Sequence, residues 1–189
     1  MRRLSAFVLI ASLSACASIP TAPALPDNQS LIGPNTIFVI PPPSALNTTV
    51  NATQQIVAHY HGQSFSFQAQ LQLTPQELDL AALDGFGRRA LTVTWKGSAI
   101  DYQPAPWLPA SVRPADILTD IALVFWPQTA LAGSGVTVAE TAKRRTISAN
   151  GHDLIVVDYG DGAGWNRTAK LKNLSFGYEI DIQSAVTAP

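Results

Sequence analysis

The chain has 189 residues, of which 47% are hydrophobic and 13% charged, with a net charge of -1. A near-neutral balance excludes the basic stripe that a nucleic-acid partner requires. Setting aside the first fifteen residues leaves about 170, enough for one domain with a full hydrophobic core. The lean charge fits a large apolar interior or a protein that handles apolar ligands, and it equally fits a β-rich chain built from Ala, Thr and Gln.

In chain order, Arg2 and Arg3 form a basic start, Ala6 to Ala11 an apolar core, and Leu13-Ser14-Ala15-Cys16 a small-residue end. This is the pattern of a secretory signal. The apolar run is well short of the roughly 20 residues that span a bilayer. Leu13-Ser14-Ala15-Cys16 also resembles the bacterial lipobox. The resemblance implies that residues 1–15 are a signal peptide and that the chain is cut before Cys16, whose thiol then carries lipid. Ala17, rather than Asp, after the cysteine implies the outer membrane, with the body facing the periplasm. Cys16 is the only cysteine, so no disulfide forms within the chain, and lipidation gives a lone exported cysteine a role. More than one acyl chain makes such an anchor durable.

Residues 16–53 read as a Pro- and Ala-rich tether with a short docking segment, Thr36 to Ile40, before Pro41-Pro42-Pro43. Regular structure is expected from near Gln54, in a domain covering 54–189. There the period becomes two. A turn at Gly62-Gln63 predicts that Tyr60 pairs with Phe65, Ala58 with Phe67 and Ile56 with Ala69, all on one face. His59, His61, Ser64 and Ser66 fall on the other. Leu71, Leu73, Leu78, Leu80 and Ala82 continue the apolar face. Asp84-Gly85-Phe86-Gly87 reads as a loop. Leu91, Val93 and Trp95 follow, and a turn at Gly97-Ser98 pairs Trp95 with Ile100 and Val93 with Tyr102. Strands in succession with short links predict an antiparallel meander.

Pro104, Pro106 and Pro109 mark irregular chain. Pro114 suits a first helical turn, Asp116 complements the dipole there, and Ile117, Ile121, Val124 and Phe125 recur at helical spacing until Pro127. Strand signals resume at Val136 to Val138 and at Arg145 to Ile147. Asn150-Gly151 is a hairpin signal, and Asp153 to Tyr159 is a strand. Gly160 to Gly164 reads as a flexible loop, Arg167 to Leu171 as a strand, and Leu174 to Ile182 as the last strand. The expected fold is mainly β: a curled antiparallel sheet of nine to eleven strands, an incomplete, half-open barrel with the helix over its concave side.

This order resembles the outer-membrane lipoprotein receptor and the periplasmic lipoprotein carrier, the LolB and LolA families. It resembles more closely a family of uncharacterised lipoproteins of the same expected fold, found beside gene clusters for aryl-polyene and related lipids. The residues that carry the likeness are the lipobox, Asp79 to Trp95, Leu108-Pro109 through Asp116 to Pro127, Leu171-Lys172-Asn173, and Gly177 to Ile182. The resemblance implies lipid binding or transport through a hydrophobic cavity. That cavity would be lined by Tyr60, Phe65, Phe67, Leu80, Val93, Trp95, Ile100, Tyr102, Phe176 and Tyr178, with Ile117, Ile121 and Phe125 on the helix as lid. It also implies membrane contact by Phe86 in a protruding loop, although core packing is the commoner fate of a Phe. Expected partners are membrane lipid through Cys16, a lipid or acylated ligand, and a periplasmic carrier or biosynthetic protein. The alternative is an accessory scaffold lipoprotein with a filled core.

No enzyme motif stands out, and no cofactor or metal is expected. His59 and His61 share a strand face, but zinc takes three or four ligands, so a solvated polar face is the reading. Gly160 to Trp165 lacks the Lys and the helix of a P-loop. Lys143-Arg144-Arg145 could meet anionic headgroups, but three charges at a turn are ordinarily solvated. Asp79, Asp84, Asp101, Asp116 and Asp120 are spread over turns, outer faces and the helix.

Overall fold

A computed structural model describes residues 25–187 of the chain. The signal segment and Cys16 lie outside the described residues. A hairpin of β1 (Gln29–Gly33) and β2 (Thr36–Val39) comes first, followed by a short 3-10 turn at Pro43–Ala45. Then come β3 (Val50–Tyr60), β4 (Gln63–Leu73), β5 (Glu77–Asp84), β6 (Arg89–Lys96), β7 (Ala99–Pro104) and helix α1 (Pro114–Phe125). After the helix come β8 (Thr137–Glu140), β9 (Arg144–Ala149), β10 (His152–Ala163), β11 (Asn166–Asn173) and β12 (Tyr178–Val186).

Ten of the strands form one antiparallel sheet in the order β7-β6-β5-β4-β3-β12-β11-β10-β9-β8. Among the described residues it is mainly β and not closed: β7 and β8 are the edges, and the single α-helix lies on the concave side with the β1–β2 hairpin. The curled, half-open sheet expected from the alternating pattern is present. Pairing of β12 with β3, Tyr178 opposite Tyr60 through Val186 opposite Ala52, puts the last strand beside the first of the sheet.

Alternation explains which face is buried. Ala52, Ala69, Leu71, Leu73, Leu78, Leu80, Leu91, Val93 and Trp95 point inward and are buried. They meet Leu118, Ile121, Ala122 and Val124 of α1, and Ile32 and Phe38 of the hairpin, in one core cluster. Each fully buried Leu, Ile or Phe adds about 1.5–3 kcal/mol, so the helix and hairpin are held mainly by apolar area.

The N-terminal boundary differs from expectation. Among the described residues the first strand begins at Gln29, not near Gln54, because Pro34-Asn35 makes a two-residue turn with Asn35 at φ 59° and pairs Gly33 with Thr36. The segment Thr36 to Ile40 does dock, as one strand of this hairpin.

The β6–β7 register is as predicted, with Trp95 opposite Ile100 and Val93 opposite Tyr102. The β3–β4 register is two residues away from prediction: Ala58 pairs with Phe65, Ile56 with Phe67 and Tyr60 with Gln63. The turn is His61-Gly62, both at positive φ, the type I′ geometry that matches strand twist. A two-residue slip keeps the facing, so Ile56, Ala58, Tyr60, Phe65 and Phe67 still share the concave side.

Two later segments also depart from expectation. Gly160 to Ala163 is strand, not loop; β10 continues through a bulge between Tyr159 and Gly162. Glycine is required there, since a Cβ on Gly160 would collide with Thr168 Oγ1 and one on Gly162 with Asn166 O. At the other end of β11, Leu174 to Gly177 is a turn. Asn173 Oδ1 accepts hydrogen bonds from the N–H groups of Ser175 and Phe176, and Gly177 takes φ 67°. β12 therefore starts at Tyr178, and Phe176 is not a strand residue.

The helix has Pro114 at its start and Asp116 in its first turn, but no basic residue in its last. The sheet supplies that charge. Arg145 Nη1 donates to Leu123 O at 2.7 Å, and Tyr159 donates its hydroxyl hydrogen to Val124 O at 3.0 Å. Arg145 is buried and ion-paired with Glu140 at 2.8 Å, which corrects the expectation that Lys143-Arg144-Arg145 is simply a solvated run.

Candidate functional site

Because neighbouring strands alternate in direction, the β3–β4, β5–β6, β9–β10 and β11–β12 turns all fall at one end of the sheet. Most of the large exposed hydrophobic side chains gather there: Tyr60, Phe65, Phe86, Leu174 and Phe176, with Trp107 in the segment after β7. The concave face explains why. One cross-strand row runs Phe65, Ala58, Ile180, Leu171, Val157. Along it, exposure rises from 0% at Val157 and Leu171 to 45% at Phe65. The helix and hairpin cover the β10–β11 end of this row and leave the β3–β4 corner bare. β3 and β4 are also longer than β5, whose last residue, Asp84, pairs with Phe67. The tip of the β3–β4 hairpin therefore projects beyond β5.

The residues expected to line one cavity divide into three groups. Leu80, Val93, Trp95 and Ile121 are packed core, and Trp95 Nε1 donates to Gly97 O at 3.0 Å. Phe67, Ile100, Tyr102, Ile117, Phe125 and Tyr178 are half-buried. Tyr60, Phe65 and Phe176 are exposed. Between helix and sheet, Leu80, Val93 and Trp95 pack with Leu118, Ile121 and Ala122 in the core cluster. On the helix, the Phe125 ring stacks on Trp165 at 4.4 Å between centroids. One cavity of about 530 Å³ is lined by Val57, Asp158, Lys170 and Asp181, on the face opposite the core. Another, of about 600 Å³, lies between Asn35 to Ile37 and Ser148 to Asn150. Neither separates helix from sheet.

Two acids on α1 face the covered side. Asp120 Oδ1 accepts a hydrogen bond from Tyr178 Oη at 2.8 Å, and Asp116 Oδ1 accepts one from Ser30 Oγ at 2.6 Å. Burial lifts the Asp120 carboxyl to about 7, the Asp116 charge adds to the rise, and the Tyr178 hydrogen bond opposes it. Burial also raises Tyr178, reinforced by Asp120. Tyr102 donates its hydroxyl hydrogen to Val112 O at 2.9 Å and so fixes the approach to the helix. The Asp120 pairing was not read from the sequence. Its signal was an acid inside the apolar stripe of Ile117, Ile121 and Val124.

Phe86 stands out from the β5–β6 turn, 87% exposed, instead of folding onto the core. Asp84 holds the turn by accepting from the N–H groups of Phe86 and Arg88, both at 2.9 Å, and from Arg88 Nε at 2.8 Å. Desolvation alone would raise the Asp84 carboxyl, but these bonds with Arg88 and Phe86 hold it below its ordinary value. The Arg88 guanidinium lies 5.5 Å from the Phe86 ring centroid and 5.0 Å from that of Trp107. Those distances suit cation–π contact.

His59 lies on the outer face, where its ring nitrogens meet Ser64 Oγ at 2.9 Å and Asp181 Oδ2 at 3.0 Å. His61 occupies the turn, so the two histidines do not share a site. Among the described residues, no group of three His, Cys, Asp or Glu side chains is placed to hold a metal, and no helix is long and apolar enough to cross a membrane.

Residues 51–186 match a protein family described as a protein of unknown function, DUF3261. The chain belongs to the DUF3261 family. The match starts with β3 and ends with β12, so the DUF3261 region is the ten-stranded sheet with its helix. The β1–β2 hairpin precedes it. No curated protein matches the chain.

Proposed function

We propose that this DUF3261 protein is a lipid-anchored outer-membrane protein facing the periplasm. It would hold a lipid, a polyene-acyl product or a lipoprotein acyl chain on the open corner of its half-barrel. The observation that carries the reading is the uncovered apolar surface on the concave face, where Tyr60, Phe65 and Phe67 continue the fully buried row of the core. Contiguous exposed apolar surface of this kind marks binding sites. A free acyl chain of 14 to 16 carbons costs on the order of 10 kcal/mol in water. An open trough that shields part of that chain suits reversible loading from a carrier or a biosynthetic partner.

The anchor is assigned to the lipobox cysteine, Cys16. Phe86, beside the trough, is assigned to membrane contact, with Arg88 behind it to meet headgroup phosphate. The role is to hold and hand over cargo, and no bond-making residue is assigned. LolB-like transfer supports this reading as a likeness of architecture alone.

A second reading is an accessory scaffold lipoprotein without cargo. The close packing of Leu118, Leu123, Trp126 and Leu131 beneath the cover favours it, since a filled core leaves only the rim to bind, and the rim would then meet a protein.

Native mass spectrometry of the full-length protein with lipid extraction separates the two, together with titration of a fluorescent fatty acid. The carrier reading expects a non-covalent lipid adduct and probe affinity that falls at least tenfold in Phe65→Glu. No adduct and no probe binding would leave the scaffold.

A further inference from the structure

We infer that the outer face of the β1–β2 hairpin is a lipid-facing surface that seats the body on the bilayer holding Cys16, an inference that rests on Cys16 being the anchor. The hairpin is apolar on both sides. Ile32 and Phe38 point into the core, while Leu31, Ile37 and Val39 point out, 44%, 41% and 39% exposed. Leu31 and Ile37 are cross-strand partners, and Val39 follows on the same face opposite Gln29. Residues 28–43 contain no charged side chain, whereas ribbons that face water ordinarily carry charge on their outer positions and edges.

The backbone is treated in the same way. An apolar medium leaves no water for unpaired backbone groups, and this ribbon ties its polar groups to the body. Val39 N–H donates to Ser134 O at 3.1 Å, and Ile40 N–H closes the base of the ribbon itself by donating to Asn28 O at 2.9 Å. Gln29 O accepts from Arg113 Nη2 at 3.1 Å, and Ile32 O accepts from Asn173 Nδ2 at 3.2 Å.

The bilayer is the occupant that fits. Gln29 lies thirteen residues after Cys16, so the chain reaches at most about 45 Å from the anchor. The hairpin is the first element after that reach. A tether of such length gives an effective concentration in the millimolar range, so a three-residue patch suffices. A second copy would need roughly 500 Å² buried on each partner, whereas the exposed apolar side chains here are three, Leu31, Ile37 and Val39. The hairpin packs on the concave side, the side of the sheet that also carries the open β3–β4 corner.

The test uses the full-length protein in phosphatidylcholine vesicles doped with nitroxide-labelled lipid. With Cys16 lipidated, Ile37→Cys can be labelled alone with a fluorophore, with Lys96→Cys at the end of β6 as control and Leu31→Cys as a second position. The expected result is at least twofold stronger quenching by nitroxide lipid at 37 and 31 than at 96, and protection from iodide. Adding Val39→Gln should weaken that protection. A label at 37 as open to iodide as at 96, in protein whose mass includes the lipid, overturns the inference and leaves the anchor standing. A mass without lipid overturns the anchor reading and this one with it. Protection from both quenchers with crosslinked dimers assigns the face to a second copy and overturns it as well.

Discussion

Tyr178 of β12 donates its hydroxyl hydrogen to Asp120 of α1 at 2.8 Å, joining the cover to the sheet next to the bare corner. The bond holds a half-buried acid whose ionisation lies near neutrality. The ordinary aspartate value is 3.8 and the folded one about 7. A raised folded value means that the native state holds a proton which the unfolded chain has lost. The group therefore favours folding at low pH, and that contribution fades as pH rises from about 4 to about 7. Asp120→Asn should remove this fading, leaving a melting temperature flatter than wild type between pH 4 and 8 and higher than wild type at pH 8. Thermal melts across that range check it. An unchanged pH profile would show that the folded carboxyl is not desolvated.

Arg145 fastens the far end of the same helix. Its guanidinium serves Glu140 and Leu123 O together, at 2.8 and 2.7 Å. Arg145→Met should cost about 3 kcal/mol, from the loss of a buried, hydrogen-bonded pair, and lower the melting temperature by roughly 10 °C. Arg145→Lys should recover little, since one ammonium cannot reproduce the planar fork. Urea titration reads both.

Phe86→Glu separates folding from membrane contact. At 87% exposure, the substitution should leave stability within about 0.5 kcal/mol. Under the proposed role, it should reduce lipid delivery to vesicles several-fold. A variant with full stability and full delivery would remove Phe86 from the mechanism.

Gly160→Ala should destabilise β10 against β11 by about 2 kcal/mol or more, because its Cβ would collide with Thr168 Oγ1. Thr168→Ala in the same chain should restore most of the loss. The coupling is expected only if strand, rather than loop, runs through Gly160, and denaturant melts of the two single variants and the double variant measure it.

Much of the fold could be read in the residues, but unevenly. The Gly97 turn was legible because one glycine in the first turn position sets both the turn and the register. The His61 turn was not, because a histidine at positive φ carries no propensity signal strong enough to displace Gly62 as first turn residue. Pro34-Asn35 is a sound turn signal, yet it sits between short apolar runs that read equally well as a tether. Arg145 looked like one of three surface charges, since nothing local announces a partner five residues back and a carbonyl on a helix 22 residues away. The candidate site suffered more. Period two places Leu80, Trp95, Tyr60 and Phe65 on one face correctly, but it cannot say where along that face the cover stops. That limit is set by the path of the helix and hairpin, a tertiary fact.

The strand order has a mechanical consequence. The two free edges of the sheet, β7 and β8, are consecutive in the chain, and the connection between them is the segment that carries α1. A twelve-residue helix is about 18 Å of rigid rod. Widening the mouth of the half-barrel therefore cannot stretch the rod. It must draw slack from 105–113 and 127–136 at either end, so the helix acts as a strut whose fixed length limits how far the sheet can spread or close.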